Sequence, residues 1–253
     1  MCYHPAVPAT FTQRFQVRFD ECAPGGTARA SVLLRCVVET AFGHSAQEGF
    51  PLSWYEDRGL FWLVRRARIE LLRPLPYGLP FDITTEVAGF RRIWARRENS
   101  VRDPAGQTLA EVTVDWIFTD RAGNPARIVP EMEAAFLGAS STMAAARLDL
   151  GEPPAALPPQ AYVVPAHQID PRGHMNSAAY LDVFEDALAD AGADPQQRPC
   201  IYELEYLRAA RPGEVLRRFV WRDPAWAMVV TGADGLPVVR ARRREGGTPP
   251  VGT

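Results

Sequence analysis

Two stretches of the chain repeat one pattern, and that repetition narrows the available folds more than any other feature. Ile69-Glu70-Leu71-Leu72-Arg73 returns as Leu204-Glu205-Tyr206-Leu207-Arg208, and in each copy a glycine, Gly78 or Gly213, follows the Arg by five positions. The surrounding periodicities repeat as well. Phe11, Phe15, Val17 and Phe19 alternate with polar residues as a half-buried strand, Gly25-Gly26 marks a turn, and Leu33, Val37, Thr40, Ala41 and His44 share one helical face. Apolar, β-rich stretches follow over residues 61–72, 81–88, 93–101 and 109–118, with Asp103-Pro104-Ala105-Gly106 as a turn. The second half runs in the same order: a strand over 161–164, a helix from Tyr180, then strands near 201–207, 215–221, 225–231 and 237–242. The economical reading is one α+β unit, a strand, a helix and four strands, present twice.

The stretch from Pro130 to Pro165 is rich in Ala, Ser and Pro, with a short helix expected near 131–137. We therefore expect units over residues 1–130 and 161–245, a linker over 131–160, and a disordered tail over 246–253. A chain of 253 residues with 47% hydrophobic content can bury a core in each unit.

Composition excludes several chemistries. All 28 basic residues are Arg, so neither Schiff-base chemistry nor a P-loop lysine is available. A net charge of −2 gives no reason to expect nucleic acid or an anionic membrane surface. Cys2, Cys22, Cys36 and Cys200 are too scattered for a disulfide framework or a zinc site, and no metal or diffusible cofactor is expected. With no apolar segment of membrane-spanning length and no leader-like start, the expected compartment is the cytoplasm.

One constellation carries chemistry. Asp170, Gly173, His174, Asn176 and Tyr180 straddle the boundary between the 161–164 strand and a helix whose Tyr180, Val183, Phe184, Ala187 and Leu188 form an apolar face. Asp182, Glu185, Asp186 and Asp190 fall on the opposite face, expected to be polar. Asp and Asn are also ordinary turn and capping residues, so a structural role stands beside the catalytic one. What favours catalysis is a carboxylate, an imidazole and a carboxamide gathered at a helix start, where backbone N–H groups lack helical partners.

This spacing resembles the Asp-x-x-Gly-His-x-Asn-x-x-x-Tyr signature of hotdog-fold thioesterases. Duplicated over residues 11–245, the chain looks most like the acyl-acyl carrier protein (ACP) thioesterases of plants and bacteria. The likeness rests also on Glu39-Thr40-Ala41 with His44, on Leu60-Phe61-Trp62-Leu63-Val64, on Trp116-Ile117-Phe118, and on Ile128-Val129-Pro130-Glu131. It implies a tandem (double) hotdog fold, each unit a long central helix wrapped by an antiparallel sheet, and hydrolysis of an acyl thioester carried by ACP or coenzyme A. Two departures stand out. The family's Asp-x-Asn-x-His-Val-Asn-Asn has Arg172 and Ser177 here in place of two Asn, and a Glu-Cys pair of plant members aligns with Ala209-Ala210.

Under that resemblance Asp170 is the general base or nucleophile, His174 orients water or donates a hydrogen bond, and Asn176 fixes the carboxylate or the substrate. Backbone amides near Gly173, Met175 and Ser177 would hold the oxyanion. Setting Gly25 against Gly173 puts Cys22, Gly26 and Ala28 where Asp170, His174 and Asn176 stand, so one active site per chain is expected. The first half would supply the facing wall, with Glu39, Thr40, His44, Trp54, Phe61 and Trp62 as substrate contacts together with Tyr180. Arg240, Arg242, Arg243 and Arg244 are the candidate docking surface for an acidic carrier protein. Homodimerisation, a non-catalytic acyl-binding role and a hotdog dehydratase or hydratase activity remain open at this level.

Overall fold

The computed structural model describes residues 10–136 and 147–246. The first half holds β1 (Thr10–Gln16), α1 (Ala30–Gln47), α2 (Leu52–Arg58), β2 (Leu60–Leu71), β3 (Pro80–Arg91), β4 (Trp94–Arg102), β5 (Thr108–Asp120) and α3 (Pro130–Ala135). The second holds β6 (Gln160–Val163), α4 (Ala179–Asp190), β7 (Cys200–Tyr206), β8 (Val215–Arg222), β9 (Trp226–Thr231) and β10 (Pro237–Glu245). All ten strands form one antiparallel sheet in the order β1-β3-β4-β5-β2-β7-β10-β9-β8-β6. Read outward from its centre, each half presents the same sequence of strands, so the sheet is pseudo-twofold symmetric about the β2–β7 seam.

The repeated pentamer sits at that seam and does the same work twice. Leu72 and Arg73 both donate their N–H to Leu109 O, and Leu207 and Arg208 both donate to Val238 O. Gly78 N donates to Val17 O at 2.9 Å, as Gly213 N does to Val164 O. The hydrogen bonds also fix the alignment of the turns before the two helices. Ala23 N to Thr27 O matches Asp170 N to His174 O, and Gly26 and Gly173 share the left-handed conformation with φ of 76° and 78°. The equivalent of Gly173 is therefore Gly26 rather than Gly25. Ala23, Thr27 and Arg29, not Cys22, Gly26 and Ala28, stand where Asp170, His174 and Asn176 do.

Two pairs of oppositely charged residues lie on the pseudo-dyad itself, one as strand neighbours and one as an ion pair. In the seam Arg68 stands opposite Glu203, its own equivalent in the repeat. Across the helices Arg35 Nη2 meets Asp182 Oδ2 at 3.0 Å, and 182 is likewise the position equivalent to 35.

Both helices lie in a shared core. Leu33, Leu34 and Val37 of α1 pack with Ile69, Phe81 and Ile83, while Leu181, Phe184 and Leu188 of α4 pack with Tyr202, Leu204 and Val230. β3 and β4 alternate, every second residue buried from Phe81 and from Ala95, because successive side chains leave opposite faces of a strand. Some expectations fail for local reasons. The first strand stops at Gln16, and Phe19 heads a single 3₁₀ turn with its ring exposed. α2 was not anticipated. It is a seven-residue helix that ends at Gly59, in the left-handed conformation suited to a helix C-terminus. Apart from Gly246, the tail expected to be disordered lies outside the described residues, as do residues 137–146 of the expected linker.

Glu185 corrects the amphipathic reading of α4. Asp186 and Asp190 are exposed as expected, but Glu185 is buried against α1, where Asp182 also meets Arg35. Its Oε1 accepts from Tyr202 Oη at 3.0 Å and from the backbone N–H of Ala30, the first residue of α1, at 3.4 Å, while Oε2 has no hydrogen-bond partner among the described residues. Burial pushes this carboxyl up to about 7. A carboxyl whose folded pKa exceeds its unfolded value holds its proton more tightly when folded, so stability falls as pH rises from about 4.5 through about 7. Glu185→Gln keeps both acceptor contacts and removes the charge. Its gain in melting temperature over the parent should be larger at pH 8 than at pH 5, the difference corresponding to an effect on the order of 3 kcal/mol. Equal gains at both pH values would contradict a buried, proton-dependent Glu185.

Candidate active site

The turn that carries Asp170 is made by its own sequence. Asp-Pro-Arg-Gly is a strong turn former: Pro171 presets φ, Gly173 takes the left-handed position, and the Asp side chain caps the turn. Asp170 Oδ1 accepts the N–H of Arg172 at 2.9 Å and of His174 at 3.3 Å, and Gly173 N donates to Asp170 O at 2.9 Å. The same device closes the β4–β5 hairpin, where Asp103 Oδ1 accepts from Ala105 and Gln107. Turn formation alone therefore does not distinguish Asp170. Its surroundings do: Asp103 stands at a hairpin tip, whereas Asp170 lies at the α4 entrance, and its Oδ2 makes no hydrogen bond among the described residues.

Asn176 organises the helix start. Its N–H donates to Gln168 O at 2.8 Å, its Oδ1 accepts from Ala178 N at 2.9 Å, and its carbonyl accepts from Ala179 N at 3.0 Å. With Oδ1 committed to the cap, its carboxamide NH₂ is the group left for a ligand. The His174 ring is half-buried and has no hydrogen-bond partner among the described residues. Ser177 is tied by its carbonyl, which accepts from Tyr206 Oη at 2.9 Å.

This arrangement revises the expected oxyanion donors. Met175 N donates to Ala210 O at 2.8 Å and Gly173 N to Asp170 O, so neither amide is free. Of the amides from 173 to 179, Ser177 N–H alone has no acceptor among the described residues.

The first half reaches this turn through β2. The Arg172 guanidinium lies over the Phe61 ring at 4.1 Å, and Arg65 Nη1, from the bulge in β2, donates to Tyr206 O. Phe61 is thus a platform beneath the turn. Trp62, one residue on, faces the other way and lines a narrow, mostly apolar pocket together with Phe42, Tyr55, Arg97, Met132 and Phe136.

Several expected contacts lie elsewhere. Glu39 is exposed on the outer face of α1. Thr40 is buried, with Oγ1 donating to Cys36 O within the helix at 2.8 Å. Trp54 packs between Phe50 and Tyr55 under Arg58. Tyr180 is core, edge-on to Tyr206, and burial raises its hydroxyl above the usual range. His44 stands behind the cavity wall: its Nδ1 accepts from Arg97 Nη1 at 2.9 Å, and burial, with the neighbouring guanidinium, lowers it to about 4. Arg97 is itself held down to about 10 by burial. The sequence reading missed Arg97, although strand parity along β4 places it inward with Ala95, Asn99 and Val101.

The arginine cluster of β10 divides by the same parity. Arg243 turns inward, donating to Asp194 O and Gln197 O, and so cannot belong to a docking face. Arg242 and Arg244 share Glu203 at 2.8 and 3.5 Å, and Arg240 stands opposite Glu205.

Two fused units, each a helix cradled by an antiparallel sheet, with a carboxylate, imidazole and carboxamide turn in one copy only, define a double-hotdog thioesterase. The chain belongs to the acyl-ACP thioesterase family: the model of the acyl-ACP thioesterase N-terminal domain matches residues 8–136, just over half of the sequence. It is accordingly a thioester hydrolase rather than an acyl-binding module or a dehydratase. Solved structures share the fold over nearly their full length. A protein of Lactobacillus plantarum assigned as an oleoyl thioesterase is 19% identical with a TM-score of 0.82, covering 95% of this chain and 98% of that one. An acyl-ACP thioesterase of Bacteroides thetaiotaomicron is 17% identical with a TM-score of 0.77, covering 92% and 96%. The 12:0-ACP thioesterase of Umbellularia californica is 20% identical with a TM-score of 0.77, covering 93% and 96%. No curated protein matches by sequence. Among the described residues no helix is long and apolar enough to cross a membrane.

Proposed function

We propose that this enzyme hydrolyses fatty acyl-ACP thioesters, with Asp170 Oδ2 as the general base that activates water. The observation that carries this reading is the free Oδ2 on a carboxylate whose other oxygen is anchored by two backbone amides. Water attacks the thioester carbonyl carbon as its proton passes to Asp170; the C–S bond then breaks, and that proton passes on from Asp170 to the leaving thiolate, with the His174 ring, which has no hydrogen-bond partner among the described residues, as the candidate relay. Acid and thiol are the products. Ser177 N–H and the Asn176 NH₂ are donors for the carbonyl oxygen. In this reading the unit over residues 1–130 receives the acyl chain, in the cavity beside Trp62, and the unit over 161–245 supplies the chemistry.

Carrier against coenzyme A is tested by measuring thiol release from matched acyl-ACP, acyl-CoA and N-acetylcysteamine thioesters. Arg240, Arg242 and Arg244 share one face of β10, which runs antiparallel to β7 and away from Tyr206, beside the site. If an acidic carrier docks there, the double change Arg242→Glu, Arg244→Glu should raise KM for acyl-ACP severalfold, more at low ionic strength, and leave the N-acetylcysteamine ester unaffected. Equal effects on both substrates would remove this face from docking.

A further inference from the structure

The amides of the catalytic turn are almost entirely spent, and this leaves a shortage. A tetrahedral oxyanion needs donors placed about 2.7–3.1 Å from the developing charge. Gly173 and Asn176 donate to carbonyls within the turn region, His174 to Asp170 Oδ1, Met175 to Ala210 O, and Ala178 and Ala179 to Asn176. One backbone donor, Ser177 N–H, remains. In the same turn, within electrostatic reach of Asp170, is a cationic donor: Arg172 Nη1 is buried and has no hydrogen-bond partner among the described residues. Its guanidinium is fixed face-on over Phe61, from the other half of the molecule, at 4.1 Å. The main-chain N–H of this same residue holds Asp170 Oδ1.

We propose that Arg172 is a catalytic residue that donates a hydrogen bond from Nη1 to the thioester oxygen as it becomes an oxyanion. This rests on the assignment of Asp170 as the base in the same turn. One residue then does two things: its backbone orients the base, and its side chain receives the charge that the base generates. A charged donor suits this position better than a neutral amide, because hydrogen bonds to ionised partners are roughly twice as strong and the guanidinium is partly desolvated against an aromatic face. Phe61 acts through Arg172 as a positioning residue, which gives the first half a part in the chemistry beyond holding the acyl chain. In the degenerate first-half turn Gly25 occupies the position of Arg172, so both the base and this donor are missing there together.

The test is chemical rescue. With an N-acetylcysteamine acyl ester, Arg172→Ala should lower kcat about a hundredfold or more with KM little changed, the cost of one oxyanion donor. Guanidinium ion at sub-denaturing concentration should restore part of that kcat, urea should not, and neither should stimulate the parent enzyme. Phe61→Leu should lower kcat severalfold and be insensitive to guanidinium. Should Arg172→Ala not fold, Arg172→Met, which keeps an unbranched stem over Phe61, carries the kcat and KM readout: lost kcat supports the assignment and parental kcat overturns it. Parental turnover in Arg172→Ala, or a loss confined to KM, would also overturn it. A parent enzyme with no thioester turnover would fail the underlying reading instead, so the two failures are distinguishable.

Discussion

Asp170→Asn is expected to lower kcat by about two to four orders of magnitude, the range for loss of a positioned general base, while the melting temperature stays close to that of the parent. The reason for pairing those outcomes is local. Asn can accept the Arg172 and His174 amides through its own Oδ1, as Asp170 does, so the turn closes as before. What disappears is the anionic Oδ2. Asp103→Asn, in the equivalent turn between β4 and β5, should leave turnover unchanged and so controls for turn chemistry. Wild-type turnover in Asp170→Asn, measured by thiol release, would end its assignment as the base.

Phe184→Ala should have the largest effect on stability, about 3–5 kcal/mol, because a fully buried aromatic leaves both lost transfer energy and a cavity. Phe184 is inaccessible to solvent and packs edge-on against Tyr202, with ring centroids 6.1 Å apart. Tyr202 belongs to β7, the strand paired with β2, so the loss falls at the junction of the halves. Against a total stability of about 5–15 kcal/mol for a typical domain, this is a large fraction. Urea unfolding should show a lower midpoint with an unchanged slope; a shift worth less than about 1 kcal/mol would mean that α4 is not packed as described.

How far these sites were legible in the chain differs by the kind of information each needs. The repeat was legible because Leu72-Arg73 and Leu207-Arg208 carry the same bifurcated bonding, and both are followed by a turn glycine. Its alignment slipped by one residue where two glycines are adjacent: the turn's hydrogen bonds and backbone angle select Gly26 over Gly25. Arg97 and Arg243 were readable from strand parity, since each falls on the inward register of its strand. Glu185 was not, because polarity was taken for exposure, and only the packing of α4 on α1 buries that one side chain while Asp186 and Asp190 stay exposed. Asp170, His174 and Asn176 were brought out by spacing. The state of the amides around them depends on Gln168 O and Ala210 O, acceptors that tertiary structure alone brings to the turn.

The charge pairs on the pseudo-dyad have a consequence for how such a molecule can assemble. In a dimer of identical subunits, a residue on the twofold axis must face its own copy, so a charge there is repelled. A chain that contains both copies escapes that constraint, and here Arg68 faces Glu203 while Arg35 meets Asp182. Two first halves brought together in the same way would set Arg68 against Arg68 and Arg35 against Arg35. Two second halves would do the same with Glu203 and Asp182. Each half thus sets its charge against an opposite one in the unlike partner and would set it against its own kind in a like one, at the seam and between the helices alike, so the chain carries its own rule for mating the unit with the Asp170 turn to the unit whose matching turn lacks those side chains.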